Sequence, residues 1–281
     1  MKIILLGAKG SLGREFSTLF KSKKIKFLPV TRKNFNFKGN YKDIKKIIDS
    51  YNPNFIINCI GLTGLLYCED KPRLALKVNY EIPISRMKIM KKTKIKLIDL
   101  PTEAVFEGKV LNKTYSELAI PKPKSIYGIS KLKADKYIIH SKNGLVIRIP
   151  MLFGPTHKSQ IVSTLLRKIK KKEKIYVADD VYSTPVYTPT LCKFVYENCL
   201  RKNTFFDKKL IHFTSQKKIS IYELIILLSK KIKNRDKSKI IKVKDSFFKT
   251  KIDIKPKNLG LKSIYQRCIK KINFSNINDL I

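Results

Sequence analysis

The chain contains no tryptophan, so no site in it can use an indole N–H. Histidine is nearly as scarce: His140, His157 and His212 stand far apart, and none has a second ligand at metal-binding spacing. The five cysteines, Cys59, Cys68, Cys192, Cys199 and Cys268, include no C-x-x-C pair. Neither a metal site nor a disulfide framework is expected, and the thiols read as reduced, mostly buried groups of a cytoplasmic protein. Long apolar runs are absent as well. Ile3 to Leu6 is too short for a signal peptide, and no stretch approaches the ~20 apolar residues that cross a bilayer, so no membrane contact is expected.

Acids are few. There are 21 Asp and Glu against 61 Lys and Arg, a formal charge of +40 with a pI near 10.0. Such an excess is the usual footprint of a nucleic-acid binder. Here lysine supplies most of it, spread along the whole chain among Ile and Asn instead of gathered with arginine and aromatic residues. The densest run, Lys168, Lys170, Lys171, Lys172 and Lys174, reads as a solvated helix end. Nucleic acid is therefore not the expected partner, although the charge steers anionic ligands toward the surface.

What is present begins at the first residues. Gly7, Gly10 and Gly13 follow the apolar run Ile3-Ile4-Leu5-Leu6 and open a helical pattern. Strand, glycine turn and helix in that order make an anion site: glycine lets the backbone approach a pyrophosphate, and the helix N-terminus supplies free N–H groups. Further strands alternate with helical patterns: Ile25–Val30, then 41–50; Phe55–Cys59, then 72–91; Lys96–Leu100, then 127–141; and Leu145–Ile149. Near-continuous apolar strands alternating with helices predict an α/β fold, a doubly wound parallel sheet of the Rossmann type. Beyond Ile149 the pattern loosens into helices near 159–171, 188–199 and 220–233 and a strand near 210–214. The expected division is a nucleotide-binding domain over 1–150 and a smaller substrate-binding lobe over 151–281, parts of which return to the sheet. The Lys-rich stretch 230–244 reads as an exposed helix end and connection.

Ser125-Ile126-Tyr127-Gly128-Ile129-Ser130-Lys131 opens a helix and places Tyr127 and Lys131 one turn apart on one face. An ammonium at that spacing eases a phenol's loss of its proton, which suits proton transfer at a ketone or carbinol. The bare pattern carries little, since Tyr41/Lys45 and Tyr67/Lys71 repeat it. Context singles out the third pair, because it follows a strand whose end carries Thr102, a hydroxyl for the same carbonyl oxygen.

At this point the chain resembles the extended short-chain dehydrogenase/reductases, and within them the dTDP-4-dehydrorhamnose reductase group. The matching pieces run in order: Gly7-x-x-Gly10-x-x-Gly13; Pro53-Asn54-Phe55-Ile56-Ile57-Asn58; Glu69-x-x-Pro72 with Val78-Asn79; Thr102-Glu103-Ala104-Val105-Phe106-Glu107-Gly108; Tyr115-x-Glu117; Tyr127-Gly128-x-Ser130-Lys131; and Thr184-Pro185-Val186-Tyr187-Thr188. The resemblance implies that Tyr127 donates the proton, Lys131 holds the nicotinamide ribose and Thr102 polarises a keto oxygen. It further implies that Ser11 and Leu12 join the pyrophosphate turn, Asn36 and Phe37 hold the adenine, and Ile60, Gly61 and Leu62 cover the cofactor. The implied substrate is a nucleotide-diphosphate sugar with a 4-keto group, in deoxysugar and cell-surface polysaccharide synthesis. Glu103 and Met151 are the implied substrate contacts, and both depart from the family. Glu103 stands where Asp is common, Ala104 where Tyr is common, and Met151 near a usual Trp. Epimerisation or dehydration of a nucleotide sugar stays open. So does a non-catalytic role similar to the regulatory subunit of methionine adenosyltransferase, and so does a homodimer.

After the second strand comes Val30-Thr31-Arg32-Lys33, without the acid that would bond a ribose 2′-hydroxyl. The forked donors of Arg32 suit a 2′-phosphate, so the expected cofactor is NADPH, with NADH as the alternative.

Overall fold

The computed structural model describes residues 1–31, 41–109, 111, 113–156, 160–231, 239–248 and 255–265. Through the first half the order is β1 (Ile3–Leu6), α1 (Ser11–Ser22), β2 (Phe27–Val30), α2 (Tyr41–Tyr51), β3 (Phe55–Asn58), α3 (Leu65–Asp70), α4 (Pro72–Leu76), α5 (Ile82–Met90), β4 (Lys96–Asp99), α6 (Ile126–Ile139) and β5 (Gly144–Arg148). There follow β6 (Leu152–Phe153), α7 (Ile161–Lys170), β7 (Ile175–Ala178), β8 (Tyr182–Ser183), β9 (Val186–Tyr187), α8 (Thr188–Phe194), β10 (Leu210–His212), β11 (Ile219–Ser220), α9 (Ile221–Lys231) and β12 (Ile240–Val243).

Six strands form one parallel sheet in the order β10-β5-β4-β3-β1-β2. Its strands are apolar on both faces because both are covered. Ile3, Leu5, Ile57, Ile98 and Ile147 meet Phe16 and Phe20 of α1 and Leu191 of α8. Ile4, Leu6, Ile56, Leu97 and Val146 meet Ile44 and Ile48 of α2, Met87 of α5 and Ala134 and Ile138 of α6. The doubly wound sheet expected from the alternation is therefore present. Its connections reverse between β1 and β3, the crevice position at which ligands bind in such sheets.

Several elements differ from the sequence reading. The single helix expected over 72–91 is interrupted by a π-helical turn, Lys77–Glu81, between α4 and α5. A π turn admits one extra residue per turn, and here it accompanies a buried Asn79. The helix from Thr188 likewise passes into a π-helical segment, Val195–Arg201. Helix α3 has no counterpart in the reading. The stretch 230–244 is not merely a connection, because Ile240–Val243 pairs in parallel with β7. The apolar residues around Lys242 (Ile240, Ile241 and Val243) suffice for this short pairing, in which Ile240 is buried and Lys242 exposed.

Beyond residue 150 the chain builds a second core from α7, α9 and the β7–β12 pair, with Val162, Leu166, Val177, Ile225 and Leu228 buried. It also returns to the large sheet, where β10 pairs with β5 and α8 packs on α1.

Candidate active site

The glycine turn is fixed by backbone geometry. Gly7 has φ +77°, a conformation that L side chains rarely adopt, and its N–H bonds to the Val30 carbonyl at 2.9 Å. The Gly10 N–H then returns to the Gly7 carbonyl at 2.8 Å. Helix α1 starts on Gly10 with no side-chain cap and no acid in its first turn. The N–H groups of Ser11, Leu12 and Gly13 therefore face the end of β1 with no intrahelical acceptor. A Cβ on Gly13 would lie 2.2 Å from the Gly7 carbonyl oxygen. The missing side chain at Gly13 thus lets α1 pack directly on the end of β1, and the N–H groups left open there are the donors a dinucleotide's pyrophosphate needs. Arg14 braces the turn: it donates to the Lys9 carbonyl at 2.7 Å and to the Thr156 carbonyl at 3.1 Å.

Ile60, Gly61 and Leu62 leave the end of β3 directly beside this turn, since the Gly7 Cβ position would touch Cys59 at 2.9 Å. The loop is held from both ends. Asn58 Oδ1 accepts the Ile60 N–H at 3.3 Å, while Asn79 accepts from the Leu62 N–H at 2.9 Å and donates to its carbonyl at 3.1 Å. Asn79 also reaches the Ser130 hydroxyl at 3.1 Å. This clamp was not assigned from the sequence; Asn58 and Asn79 stand in matching motifs, but nothing local says that their side chains point to the same loop.

Thr102, Tyr127 and Lys131 come together at the same end of the sheet. The Thr102 Oγ1 accepts the Ala104 N–H at 3.1 Å and so caps the short 3-10 turn Glu103–Val105. With a lone pair engaged inward, the hydroxyl hydrogen is left for an outside acceptor. Helix α6 abuts this turn so closely that a Cβ on Gly128 would lie 2.2 Å from the Ala104 carbonyl oxygen. The missing side chain at Gly128 thus lets the start of α6 pack against the turn that follows Thr102. The start of α6 is fixed by Ser125, whose Oγ accepts the Gly128 N–H at 3.1 Å, and by Glu69, which accepts the Ile126 N–H at 2.7 Å. Tyr127 packs against the cluster that includes Ala104, Val105, Phe106 and Leu132. Lys131 is buried, with Nζ 3.5 Å from the Ile60 carbonyl oxygen and 2.9 Å from where a Gly61 Cβ would be.

Glu103, expected to contact the substrate, is enclosed by the protein. It is only 6 % exposed, and its carboxylate turns inward. The Ser183 hydroxyl donates to it at 2.8 Å and 3.0 Å, and the Met151 N–H at 3.1 Å. Glu103 therefore ties the turn after β4 to β8 and to the backbone of Met151. Met151 is half-buried against the second core. Arg32, Asn36 and Phe37 lie outside the described residues.

Burial pushes the Glu103 carboxyl up to about 8, against the hydrogen bonds from Ser183 and Met151. Its folded value lies above its unfolded one, so the folded state holds the extra proton. The stabilisation is complete below about 4.5 and is lost as pH rises through about 8. Glu103→Gln keeps the acceptor and removes the titration. Its melting temperature should match wild type near the lower limit and exceed it by several degrees above the upper one, since about 1.4 kcal/mol per pH unit between those limits amounts to at most on the order of 5 kcal/mol. Thermal melts across that interval check this; parallel curves would mean that Glu103 does not carry the proton.

Helices on both faces of a parallel sheet, a glycine turn at the crevice, and a threonine, tyrosine and lysine beside it define the short-chain dehydrogenase/reductase class of nucleotide-binding folds. The family model described as the RmlD substrate binding domain matches residues 1–263, and the chain belongs to that family. It is similar to the dTDP-4-dehydrorhamnose reductase of Aggregatibacter actinomycetemcomitans, 25 % identical over 243 residues, covering 81 % of this chain and 78 % of that protein. It is equally similar to methionine adenosyltransferase 2 subunit beta of Danio rerio, 25 % identical over 236 residues, covering 79 % and 71 %. In fold it resembles the crystal structure of a Bacillus anthracis dTDP-4-dehydrorhamnose reductase in complex with NADP, with TM-score 0.84, 20 % identity and coverage of 99 % and 96 %. No described helix is long and apolar enough to cross a membrane.

Proposed function

We propose that this chain is a cytoplasmic NADPH-dependent reductase of a nucleotide-diphosphate sugar carrying a 4-keto group. The observation that carries this reading is Gly128: its close approach to the Ala104 carbonyl holds the start of α6, which carries Tyr127, against the turn that follows Thr102, in a member of this family. The N–H groups of Ser11, Leu12 and Gly13 hold the pyrophosphate. The ammonium of Lys131, resting under the Ile60–Leu62 loop, holds the nicotinamide ribose. Arg32 meets the 2′-phosphate, and Asn36 and Phe37 meet the adenine. When bound, the reduced nicotinamide supplies the hydride. The Thr102 hydroxyl donates a hydrogen bond to the keto oxygen, and Tyr127 delivers its phenolic proton to that oxygen as it becomes a hydroxyl. Residues 151–281, Met151 among them, form the lobe that selects the sugar.

Purified protein offered 4-keto nucleotide sugars should consume NADPH absorbance and bind NADPH more tightly than NADH. No oxidation with any such sugar would remove the reductase assignment, and equal affinity for the two cofactors would remove the role of Arg32. A second reading, a regulatory subunit, is favoured by the similarity to methionine adenosyltransferase 2 subunit beta and by the inward turn of Glu103. A partner enzyme that co-purifies and changes its kinetics, without sugar turnover, would mark that reading. Tightly retained oxidised cofactor would instead mark an epimerase or dehydratase.

A further inference from the structure

Arg86 is 0 % exposed on the sheet-facing side of α5, next to the buried Met87. Burying a guanidinium costs several kcal/mol of hydration, and a well-packed apolar side chain of similar length is often as stable or more so. Its retention asks for a reason beyond packing, and its contacts supply one. Arg86 Nη1 donates to Asn58 Oδ1 at 3.1 Å, the same oxygen that receives the Ile60 N–H at 3.3 Å. Asn58 Nδ2 donates to Asp99 Oδ1 at 2.5 Å. The carbonyl of Ile60 is in turn the atom on which Lys131 Nζ rests, at 3.5 Å. One buried amide therefore joins a guanidinium, a carboxylate at the end of β4 and the first residue of the loop that seats the lysine.

We infer that Arg86 is a positioning residue for Lys131, acting through Asn58 and Asp99 on the Ile60 carbonyl. The inference rests on the reading of Lys131 as a cofactor-holding group. Burial raises the Asp99 carboxyl, and Lys131, the Asn58 hydrogen bond and Arg86 together draw it back. On the far side Arg148 Nε pairs with Asp135 Oδ2 at 3.0 Å, so charges alternate through the layer: Arg86, Asp99, Lys131, Asp135, Arg148. Without Arg86, Asp99 keeps Lys131 as its principal cation. The ammonium is then drawn down toward the carboxylate, off the Ile60 carbonyl and away from the crevice.

The test compares Arg86→Met, Arg86→Lys, Asp99→Asn and the double variant R86M/D99N, at a temperature where circular dichroism shows each to be folded. R86M should raise the NADPH dissociation constant about 10-fold and lower kcat about 10–100-fold, with substrate KM changed less than about threefold. R86K should recover part of both losses. R86M/D99N should bind NADPH more tightly than R86M, because the carboxylate that displaces the lysine is gone. Wild-type NADPH affinity in R86M, or a double variant no better than R86M, would overturn the inference. If the wild type turns over no keto sugar, the reductase reading fails on its own, and the series of NADPH dissociation constants still decides the role of Arg86.

Discussion

Tyr127→Phe is expected to lower kcat by about 10²–10⁴-fold while leaving the NADPH dissociation constant within about threefold of wild type. The substitution removes a single oxygen. The ring stays packed against Ala104, Val105, Phe106 and Leu132, so the start of α6 keeps its seat. Ser125 and Glu69 still fix the first turn, since their bonds go to the Gly128 and Ile126 backbone and not to the phenol. Lys131 keeps its place under Ile60, so the cofactor contacts proposed for it survive. What disappears is the proton for the keto oxygen. Thr102 remains as a hydrogen-bond donor, which leaves the carbonyl polarised but gives the developing alkoxide no acid of matching position. The loss should therefore appear in kcat and kcat/KM together, the signature of an interaction made in the transition state. Steady-state kinetics with direct titration of NADPH checks both halves. Turnover near wild type would show that another group gives the proton.

The same residues show how far the sequence could be read. The sheet was legible because strands covered on both faces must be apolar on both, as Ile3 to Leu6 are, and no polar face confuses the pattern. The glycine turn was legible because glycine at positions 7 and 13 answers a local demand, a positive φ at one and a missing Cβ at the other. The buried hydrogen bonds of Glu103 were not legible because its partner Ser183 arrives 80 residues later on β8. Arg86 carried no signal at all: a basic residue on a helix of so lysine-rich a chain reads as solvated, and only the packing of α5 on the sheet shows it to be buried. Asn79 was quoted for its motif without a role, since the π turn that aims it at Leu62 leaves no trace in periodicity. In each case the missing information was a contact between distant segments, which propensity and spacing do not encode.

Gly13→Ala should raise the NADPH dissociation constant by about 100-fold or more, and Gly10→Ala by far less, although both add one methyl to the same turn. At Gly13 the new carbon would lie 2.2 Å from the Gly7 carbonyl oxygen and 2.8 Å from the Ala8 Cα. Those are backbone atoms, so no rotamer change relieves the overlap; β1 and α1 must move apart. Separation turns the free N–H groups of the first helical turn away from the phosphate position, and overpacking of this kind also costs about 1–3 kcal/mol of stability. At Gly10 the nearest atom is the Gly7 oxygen at 3.2 Å, a contact that a shift of a few tenths of an ångström relieves. The pair therefore separates two explanations that a single variant would confuse. If the turn binds a pyrophosphate through its backbone, affinity falls steeply at Gly13 and slightly at Gly10. If glycine there serves packing alone, melting temperatures will follow the same order while NADPH binding to the folded fraction stays level, and the phosphate cradle would lose its support.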